Sequence, residues 1–315
     1  MEGQVIVVKK MVVSLLVAAL LLPGVETVSA AVKEFDKNIV GSPKLAVLVD
    51  GRKVKFQGGD PVSEKGRVQV PLRGVGEALG AEVDYDEAGK KVKYTREGKS
   101  IVLTIGSKEA VVDGRVITMD TAAKAVKGRT YVPLRFVSEN LGETVKWDGV
   151  GNWVWIGSQE IPHITEVTEL EDIKPYRHYY EGYEYMSQSD GNDLDFARIV
   201  DGDTMPVQLT KLTIMDMWMV TDGENDGIRV RFKGANKLTI FFLQGNGDIR
   251  RRDAYVVDQG DGTYIGQFPI VSSPDNHYKY GKDWRNYSIK DADYLLFQVT
   301  SYPDDSIRLF SNPFK

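Results

Sequence analysis

Short runs in which apolar and polar residues alternate recur along most of this 315-residue chain, separated by Gly, Asp and Asn. Period-two alternation predicts half-buried β-strands, and the turn residues between the runs predict hairpins. Two stretches, 71–79 and 133–141, instead carry apolar residues three or four positions apart and predict short helices. The pattern therefore predicts a mostly β chain with two short helices in its first half.

The two helices lie in two copies of one sequence unit. Gly66–Asp86, "GRVQVPLRGVGEALGAEVDYD", is repeated as Gly128–Asp148, "GRTYVPLRFVSENLGETVKWD". Each copy predicts a strand that ends at a proline, a helix that stops at a glycine (Gly80 or Gly142) and a β-hairpin. The stretch "VDGRKVKF" before the first copy matches "VDGRVITM" between the copies, and Asp-Gly is a strong two-residue hairpin signal.

One copy alone is too small to bury its apolar face, so the two copies are expected to share one core. We therefore predict an α+β domain over residues 45–158, with an antiparallel sheet, two short helices and an internal βαββ-like duplication. Both helices are expected to lie on the same sheet.

The repeated motif G-R-x-x-V-P-L-R-x-x-x-E-x-L-G-x-x-V-x-[YW]-D resembles the copper amine oxidase N-terminal domain-like family, whose module is often called the stalk domain. The resemblance covers about a third of the chain and implies a small α+β fold with an antiparallel sheet. It also implies a non-catalytic module of the kind found in exported and cell-surface proteins of Gram-positive bacteria, joined there to many different partners.

The resemblance does not bring the chemistry of the oxidases with it. Their copper requires three histidine ligands, and their quinone forms from a tyrosine in an Asn-Tyr-Asp/Glu setting. This chain has three histidines in all, His163, His178 and His277, with no H-x-H pair, and a serine follows Asn286-Tyr287. We therefore expect no copper, no cofactor, no catalytic residues and no amine oxidase activity.

Four aromatic residues of the second copy and the hairpin after it occupy alternating strand positions. They are Tyr131, Trp147, Trp153 and Trp155. We interpret them as core or sheet-face residues, because most large aromatic side chains in strands are buried. A ligand platform is the alternative interpretation.

The first thirty residues predict a secretory signal peptide. Lys9 and Lys10 precede the apolar run "MVVSLLVAALLL", and small residues lead to a cleavage site after Ala30. An uncleaved membrane anchor is the alternative, but a span needs about twenty apolar residues. No later segment approaches that length, so no transmembrane span is expected after cleavage. The absence of cysteine excludes disulfides and fits a bacterial exported protein.

The net charge of −5 hides a division between the two halves. Residues 31–158 contain 21 basic and 17 acidic residues, whereas residues 159–315 contain 17 and 26. The change of sign predicts a domain boundary. An acidic second half also argues against nucleic-acid binding, which requires a cationic surface.

The second half predicts many short strands with Gly, Asp and Asn turns, and we recognise no family in it. The strand-like runs are "KLTIMDMWMV", "GIRVRFK", "KLTIFFLQ", "AYVVD", "TYIGQFPIV", "YLLFQVTSY" and "SIRLF". Such a pattern predicts an all-β, sandwich-like domain over residues 176–315. Residues 159–175 are expected to form a linker or a first edge strand.

The acidic turns of the second half include weak calcium candidates. Asp222, Glu224 and Asp226 resemble the start of a calcium loop, but Lys233 stands where an EF-hand requires its closing acid. Other acids offer a calcium site that is not an EF-hand: Asp190, Asp193, Asp201 and Asp203. The simpler interpretation is that these residues close hairpins.

A cluster of tyrosines precedes the strands of the second half. The segment "YRHYYEGYEYM" contains five of them: Tyr176, Tyr179, Tyr180, Tyr183 and Tyr185. Tyr180 and Tyr183 are the candidates for an exposed platform that stacks on a sugar, which would need a turn or bulge near Gly182. The alternative is a strand that packs its tyrosines against the sheet.

Export, a non-catalytic module and an acidic β-rich half together predict a cell-envelope protein. The stalk-like module is expected to act as a spacer or docking element for the β-rich recognition domain. The expected partner is a cell-wall glycan or another envelope protein, and the expected location is extracellular or cell-wall associated. The alternative is a carbohydrate-active protein, either a glycan-binding module or a glycoside hydrolase whose carboxylate pair the sequence does not identify.

Overall fold

The repeated region forms three small β-sheets and two short helices in the computed structural model. That model describes residues 34–189, 191–273, 275, 281–299 and 302–315, so the predicted signal peptide, residues 1–30, lies outside the described residues. The helices are α1 (Leu72–Ala78) and α2 (Leu134–Asn140). The strands are β1 (Ala46–Val49), β2 (Arg52–Lys53), β3 (Val62–Glu64), β4 (Arg67–Pro71), β5 (Glu82–Asp86), β6 (Lys91–Arg96), β7 (Lys99–Thr104), β8 (Glu109–Val112), β9 (Arg115–Thr118), β10 (Lys124–Val126), β11 (Arg129–Pro133), β12 (Val145–Asp148) and β13 (Trp153–Ile156).

The three sheets interleave the two copies of the repeat. The first is the antiparallel sheet β5-β6-β7-β8-β9, and the second has the order β10-β11-β4-β3. In the second sheet the proline-ended strands of the two copies pair directly, with Val132 opposite Val70. The third sheet has the order β12-β13-β1-β2, and its strands β1 and β13 are parallel. The first strand of the module, β1, is thus hydrogen-bonded to its last strand, β13.

The two helices bury their apolar faces in one shared core. Val75 of α1 and Val137 of α2 are both fully buried in the same cluster, together with the paired residues Val70 and Val132. Both helices contact β4 and β11, so they lie on the same sheet. A unit of half this size could not enclose such a core, which is the physical reason for the duplication.

The two Asp-Gly pairs form the predicted hairpin turns. Asp50 and Gly51 join β1 to β2, and Asp113 and Gly114 join β8 to β9. All four residues have positive φ, between 46° and 79°. A type I′ turn requires positive φ at both central residues, which Asp tolerates and Gly favours.

The second half is also built mainly of strands. A short helix, α3 (Ile164–Val167), precedes them, and among the described residues no helix is both long and apolar enough to cross a membrane. The strands are β14 (Glu171–Asp172), β15 (Gln188–Ser189), β16 (Asn192–Asp193), β17 (Phe196–Val200), β18 (Val207–Gln208), β19 (Thr213–Thr221), β20 (Asp226–Lys233), β21 (Thr239–Leu243), β22 (Ile249–Asp253), β23 (Tyr255–Asp258), β24 (Tyr264–Pro269), β25 (Tyr294–Phe297) and β26 (Ser306–Ser311).

Two larger sheets of this half share a buried core. One has the order β14-β17-β26-β25-β21-β22 and the other has the order β18-β19-β20-β24-β23. Phe232 from the five-stranded sheet and Phe242 from the six-stranded sheet are both fully buried in one cluster. Most pairings are antiparallel, but β17 and β26 are parallel. The prediction of a mostly β fold with few helices is confirmed.

Glu34–Lys315 form one compact unit. The predicted linker is not free of structure, because Glu171 and Asp172 pair with β17 at the edge of the six-stranded sheet. The domain boundaries at residues 158 and 176 stay predictions. We refer below to β1–β13 with their helices as the N-terminal module, and to the six- and five-stranded sheets as the C-terminal sheets.

Candidate functional site

The N-terminal module presents an apolar outer face to the C-terminal sheets. On the sheet β12-β13-β1-β2, Leu48, Trp153 and Trp155 point away from the core of the module. All three are buried, because they pack against Met215 of β19 and Ile161. The two indole rings meet edge to face, with their centroids 5.5 Å apart. We call these residues, with the ion pairs described next, the docking interface.

Arg231 of β20 forms the polar centre of the docking interface. Its guanidinium donates from Nη1 to Asp148 Oδ2 (2.5 Å), from Nη2 to Asp261 Oδ2 (2.8 Å) and from Nε to Thr263 Oγ1 (3.0 Å). Only 3% of Arg231 is exposed. Asp148 ends β12 of the module, whereas the other two partners belong to the β23–β24 hairpin, so this arginine joins the two parts.

The local sequence of the module prepares Asp148 for this contact. The backbone N–H of Gly151 donates to Asp148 Oδ1 at 3.0 Å and fixes the carboxylate at the turn after β12. A Cβ atom at position 151 would lie 2.6 Å from Arg231 Nη1, so a larger residue there would displace the guanidinium from its observed position. The turn "DGVGN" therefore both holds the acid and leaves room for its partner.

A second ion pair crosses the docking interface. Lys53 Nζ lies 2.9 Å from Asp216 Oδ1, and both side chains are largely buried. The same ammonium lies 5.3 Å from the ring centroid of Trp153, which favours a cation near its face. Asp216 follows an irregularity in the pairing of β19 with β20, between Ile214 and Asp216. Such a bulge re-aims a side chain.

The electrostatics of Asp261 follow from these contacts. Burial alone would raise the pKa of Asp261, but hydrogen bonds from Thr263 and the charge of Arg231 outweigh burial and lower that pKa. The carboxylate is therefore held in its charged form at neutral pH, as an ion pair with a buried arginine requires.

The two copies of the repeat differ at the positions that dock. Trp153 and Trp155 in the second copy correspond to Lys91 and Lys93 in the first. Both lysines are exposed, whereas both tryptophans are buried. The duplicated unit thus has one solvent-facing sheet and one docking sheet. The prediction that Trp153 and Trp155 are sheet-face residues is confirmed.

The segment before the module also packs on the C-terminal sheets. Val40 forms a bridge with Thr221 at the end of β19, with N–H···O distances of 2.8 and 2.9 Å. The ring of Phe35 lies 4.1 Å from the guanidinium carbon of Arg229. Phe35 also packs near Trp218 on the outer face of the five-stranded sheet. The chain is therefore attached to these sheets on both sides of the module.

The tyrosine segment is helical and not a strand. Lys174–Tyr180 and Glu184–Ser187 form 3-10 helices, so the predicted strand is wrong, whereas the predicted packing of tyrosines against the sheet is observed. In the turn that leads into the first helix, Asp172 Oδ1 accepts from Lys174 N at 2.9 Å, and Ile173 is the N-cap. A carboxylate that accepts from the N–H two residues later forms an Asx turn, and this turn connects β14 to the helical segment.

Tyr180 is not exposed as a sugar platform requires. Only 2% of Tyr180 is accessible, and burial raises its pKa above the ordinary value. Tyr183 is half-buried and meets Tyr185 edge to face at 6.4 Å, whereas Tyr185 is 65% exposed. The expected exposure of Tyr180 is therefore wrong. Ligand binding by this segment stays a prediction.

The other tyrosines of the segment belong to a packed cluster. Tyr176 and Tyr179 both meet Tyr294 of β25 edge to face, at 5.8 and 5.1 Å. Burial, followed by the charge of Asp293, raises the pKa of Tyr179 to about 12. Tyr176 donates to Glu171 Oε2 at 2.5 Å. These hydroxyls remain protonated and hold the segment on the six-stranded sheet.

The acidic turn at residues 222–226 closes the β19–β20 hairpin. Asp222 Oδ1 accepts from the backbone N–H groups of Glu224 (2.9 Å) and Asn225 (2.7 Å). The hydrogen bond from the Asn225 N–H lowers the pKa of Asp222 most, followed by the one from Glu224. Asp226 pairs with Thr221 in the strand ladder. The turn therefore uses its carboxylate locally, and calcium binding there stays a prediction.

The other acidic candidates are dispersed. Asp193 lies in β16 and accepts from Gln188, Asp201 precedes a short 3-10 helix, and Asp203 pairs with Lys55 at 3.0 Å. Asp190 lies outside the described residues. Within the described ranges, no group of three or more His, Asp or Glu side chains is arranged to hold a metal ion.

The histidines have no common site. His163 caps α3, where its Nδ1 faces Thr165 and its backbone N–H donates to Glu166. The ring of His178 lies against Tyr179, with centroids 4.1 Å apart. His277 lies outside the described residues. Of the Asn-Tyr dipeptide, Tyr287 is buried beneath Arg250, whereas Asn286 is exposed.

The comparisons with known proteins agree with this architecture. Residues 48–156 match the family model of the copper amine oxidase N-terminal domain, so the resemblance of the repeated region is confirmed. The N-terminal domain of copper amine oxidase is non-catalytic. No family is shown for the C-terminal half, and no curated protein matches the chain.

Proposed function

We propose that this is an exported, non-catalytic cell-envelope protein whose N-terminal module is a docking element for the C-terminal half. Residues 45–158 form the stalk-like module with its βαββ-like duplication, and residues 159–175 lead into a sandwich-like β domain over 176–315. The protein is secreted by a Gram-positive bacterium, where it faces a cell-wall glycan or another envelope protein.

The observation that carries this proposal is the burial of Trp153 and Trp155 beneath Met215. The first copy of the same unit exposes lysines at these positions, so the second copy has become a docking surface. The match to a non-catalytic domain family and this docking surface together support a module that positions the C-terminal half. A docked module also favours a short rigid spacer over a flexible one, because the Arg231–Asp148 and Lys53–Asp216 ion pairs cross between the parts.

The export part of the proposal is tested in a Gram-positive host that expresses the full chain. We expect mature protein outside the cytoplasm, with Ala31 as its first residue. The matched control replaces Leu15 and Leu16 by Asp, which interrupts the apolar run and blocks export. An uncleaved wild-type protein retained inside the cell would contradict export.

The partner is tested by sedimentation of the purified mature protein with peptidoglycan sacculi and with envelope membranes. Binding to either fraction supports the envelope assignment. An absence of binding to both would contradict it, whatever the result of the export experiment.

The second candidate function is that of a carbohydrate-active protein. The observation that favours it is the exposed ring of Tyr185 beside Tyr183. If this segment is the glycan site, replacement of both by Ala abolishes glycan binding, whereas binding that persists in the double variant excludes the candidate. Release of reducing sugar from cell-wall polysaccharide would identify a hydrolase, and its absence would exclude that form of the candidate.

A further inference from the structure

A groove opens on the helix side of the docking sheet in the N-terminal module. It lies between α2, the edge strand β12, the start of β4 and the loop 118–121, and it encloses about 650 Å³. Small-molecule sites in proteins are concave and commonly enclose about 300–1,000 Å³. The groove does not touch the docking interface, which occupies the opposite face of the same sheet.

Trp147 forms one wall of the groove and is half exposed. It pairs with Val154, whose side chain is in the core of the module, so the indole points to the same side as α2. The exposed fraction of Trp147 is 50%, whereas the other four tryptophans are buried. Trp147 is thus a sheet-face residue, as one of the two predicted interpretations has it, but half of its surface is open to solvent. A large indole left open within a concave groove indicates a contact surface.

The floor of the groove is apolar and its rim is polar. Met119, Leu134, Phe136 and Val154 line the floor. Two ion pairs stand among the lining residues, both partly exposed. They are Arg67–Asp120 (2.7 Å) and Arg135–Glu139 (3.9 Å).

The charges of these pairs select the kind of ligand. Two arginines balance two carboxylates, so neither an anion nor a cation meets a net opposite charge there. A hydroxyl can donate to a carboxylate and accept from a guanidinium at the same time, so each pair suits a hydroxyl. A neutral ligand with one apolar face and several hydroxyls therefore fits both the indole and the rim.

We propose that this groove binds a neutral saccharide, whose ring stacks on Trp147 and whose hydroxyls bond to the Arg67–Asp120 and Arg135–Glu139 pairs. The site belongs to the N-terminal module and depends neither on export nor on the tyrosine segment. It assigns a binding role to the module itself, beyond its docking role.

The probe is tetra-N-acetylchitotetraose, a soluble neutral oligosaccharide, titrated into the mature protein. Iodide quenching should report chiefly on Trp147, because the other tryptophans are buried. Bound sugar should shield the indole, so quenching should fall as calorimetry detects binding. Trp147→Ala should weaken binding about tenfold or more, which corresponds to about 1.4 kcal/mol. Arg67→Gln is the second variant and should weaken binding without removing the ring.

The chain supplies a matched control in the other copy. Tyr85 is the repeat equivalent of Trp147 and is 41% exposed, so Tyr85→Ala removes an exposed aromatic ring without touching the groove. We expect unchanged affinity in Tyr85→Ala and in the double variant Tyr183→Ala/Tyr185→Ala. All variants should keep the wild-type melting temperature.

Three results would overturn the proposal. The first is no binding of either tetra-N-acetylchitotetraose or a second neutral oligosaccharide, cellotetraose, at millimolar concentration. The second is binding that survives Trp147→Ala or is lost in Tyr183→Ala/Tyr185→Ala, which would place the sugar elsewhere. The third is preferential binding of a different class of ligand. An extended hexapeptide would show that the groove does not select saccharides, and an oligogalacturonate would show that it selects an anionic saccharide.

Discussion

The guanidinium of Arg231 donates a hydrogen bond of 2.5 Å to the carboxylate of Asp148, which lies 83 residues earlier in the chain. The contact joins β20 to the last residue of β12. It is largely buried and is flanked by Trp153, whose ring lies 5.9 Å from the guanidinium carbon. A largely buried carboxylate that loses its arginine partner is left as an uncompensated charge. The hydrogen bond between Arg231 and Asp148 therefore fixes the position of the module relative to the C-terminal sheets.

The first prediction concerns this ion pair. Arg231→Met should lower the free energy of unfolding by about 3 kcal/mol, because it leaves Asp148 without its partner in a mostly buried site. The measurement is chemical denaturation of the mature protein. Arg251→Met is the control, because Arg251 and Asp253 form an exposed pair at 3.0 Å whose loss should cost less than about 1 kcal/mol. Equal losses in the two variants would refute the role given to Arg231.

The second prediction uses the sequence of the first copy to undo docking. Trp153→Lys with Trp155→Lys places in the second copy the residues that stand at 91 and 93 in the first. The charges should prevent burial against Met215, so amide exchange of β19 should rise while α1 and β5–β9 remain protected. The matched control is Trp147→Lys, which changes a tryptophan outside the docking interface. Unchanged exchange in β19 of the double variant would show that the tryptophans do not hold the sheets together.

The third prediction concerns the shared core of the two copies. Leu134→Ala should cost about 2–5 kcal/mol, because Leu134 of α2 is fully buried in the common cluster. Arg135→Ala, one residue later on the exposed side of α2, should cost under about 0.5 kcal/mol. Thermal and chemical unfolding measure both. A loss below about half a kcal/mol in Leu134→Ala would mean that the helix face is wrongly assigned.

The fourth prediction concerns acid stability. Burial would raise the pKa of Asp304, but hydrogen bonds from Arg198 and Ser306 and the charge of Arg308 lower it. A carboxyl with a lowered folded pKa stabilises the fold above its unfolded pKa of about 3.9. That contribution is lost as the pH falls through the lower folded value. The melting temperature should therefore be nearly constant from about pH 8 to 5 and fall below about pH 4.

Asp304→Asn separates this contribution from general acid unfolding. The variant should be less stable at neutral pH, and its stability should fall less between about pH 5 and 2. Asp84→Asn, at an exposed position of β5, is the control. A fall in Asp304→Asn as steep as that of the wild type would contradict the assignment.

The sequence predicted the N-terminal module well because its signals are local. Proline after the strand, apolar spacing in the helix and the Asp-Gly turns act within a few residues, and the repeat supplied each signal twice. The helices predicted at 71–79 and 133–141 are observed as Leu72–Ala78 and Leu134–Asn140. The seven runs predicted as strands in the second half also contain strands.

What the sequence missed depends on distant partners. The strand β22, "IRRRD", reads as a charged loop, yet Arg250 and Arg252 are buried because both bond to the carboxylate of Asp275. The burial of Tyr180 likewise depends on contacts with the six-stranded sheet. The docking interface did leave a signal in the sequence, since tryptophans stand in the second copy where the first has Lys91 and Lys93. The residue of β19 that packs against them, Met215, could not be predicted from the spacing of apolar residues.

The central claim is that the N-terminal module is held rigidly on the C-terminal sheets. Because the chain has no cysteine, two engineered cysteines can carry spin labels without any background site. Val116 of β9 and Lys237 before β21 are exposed and lie in different parts. The pair Glu169 and Lys237, both in the second half, is the control.

The decisive measurement is the distance distribution between labels at residues 116 and 237 by pulsed electron paramagnetic resonance. We expect one narrow distribution for the 116–237 pair, as narrow as that of the 169–237 control. In Trp153→Lys/Trp155→Lys the 116–237 distribution should broaden, while the control distribution stays narrow. A distribution that is already broad in the otherwise wild-type protein, beside a narrow control, would show that the module is a flexibly tethered spacer and would contradict docking.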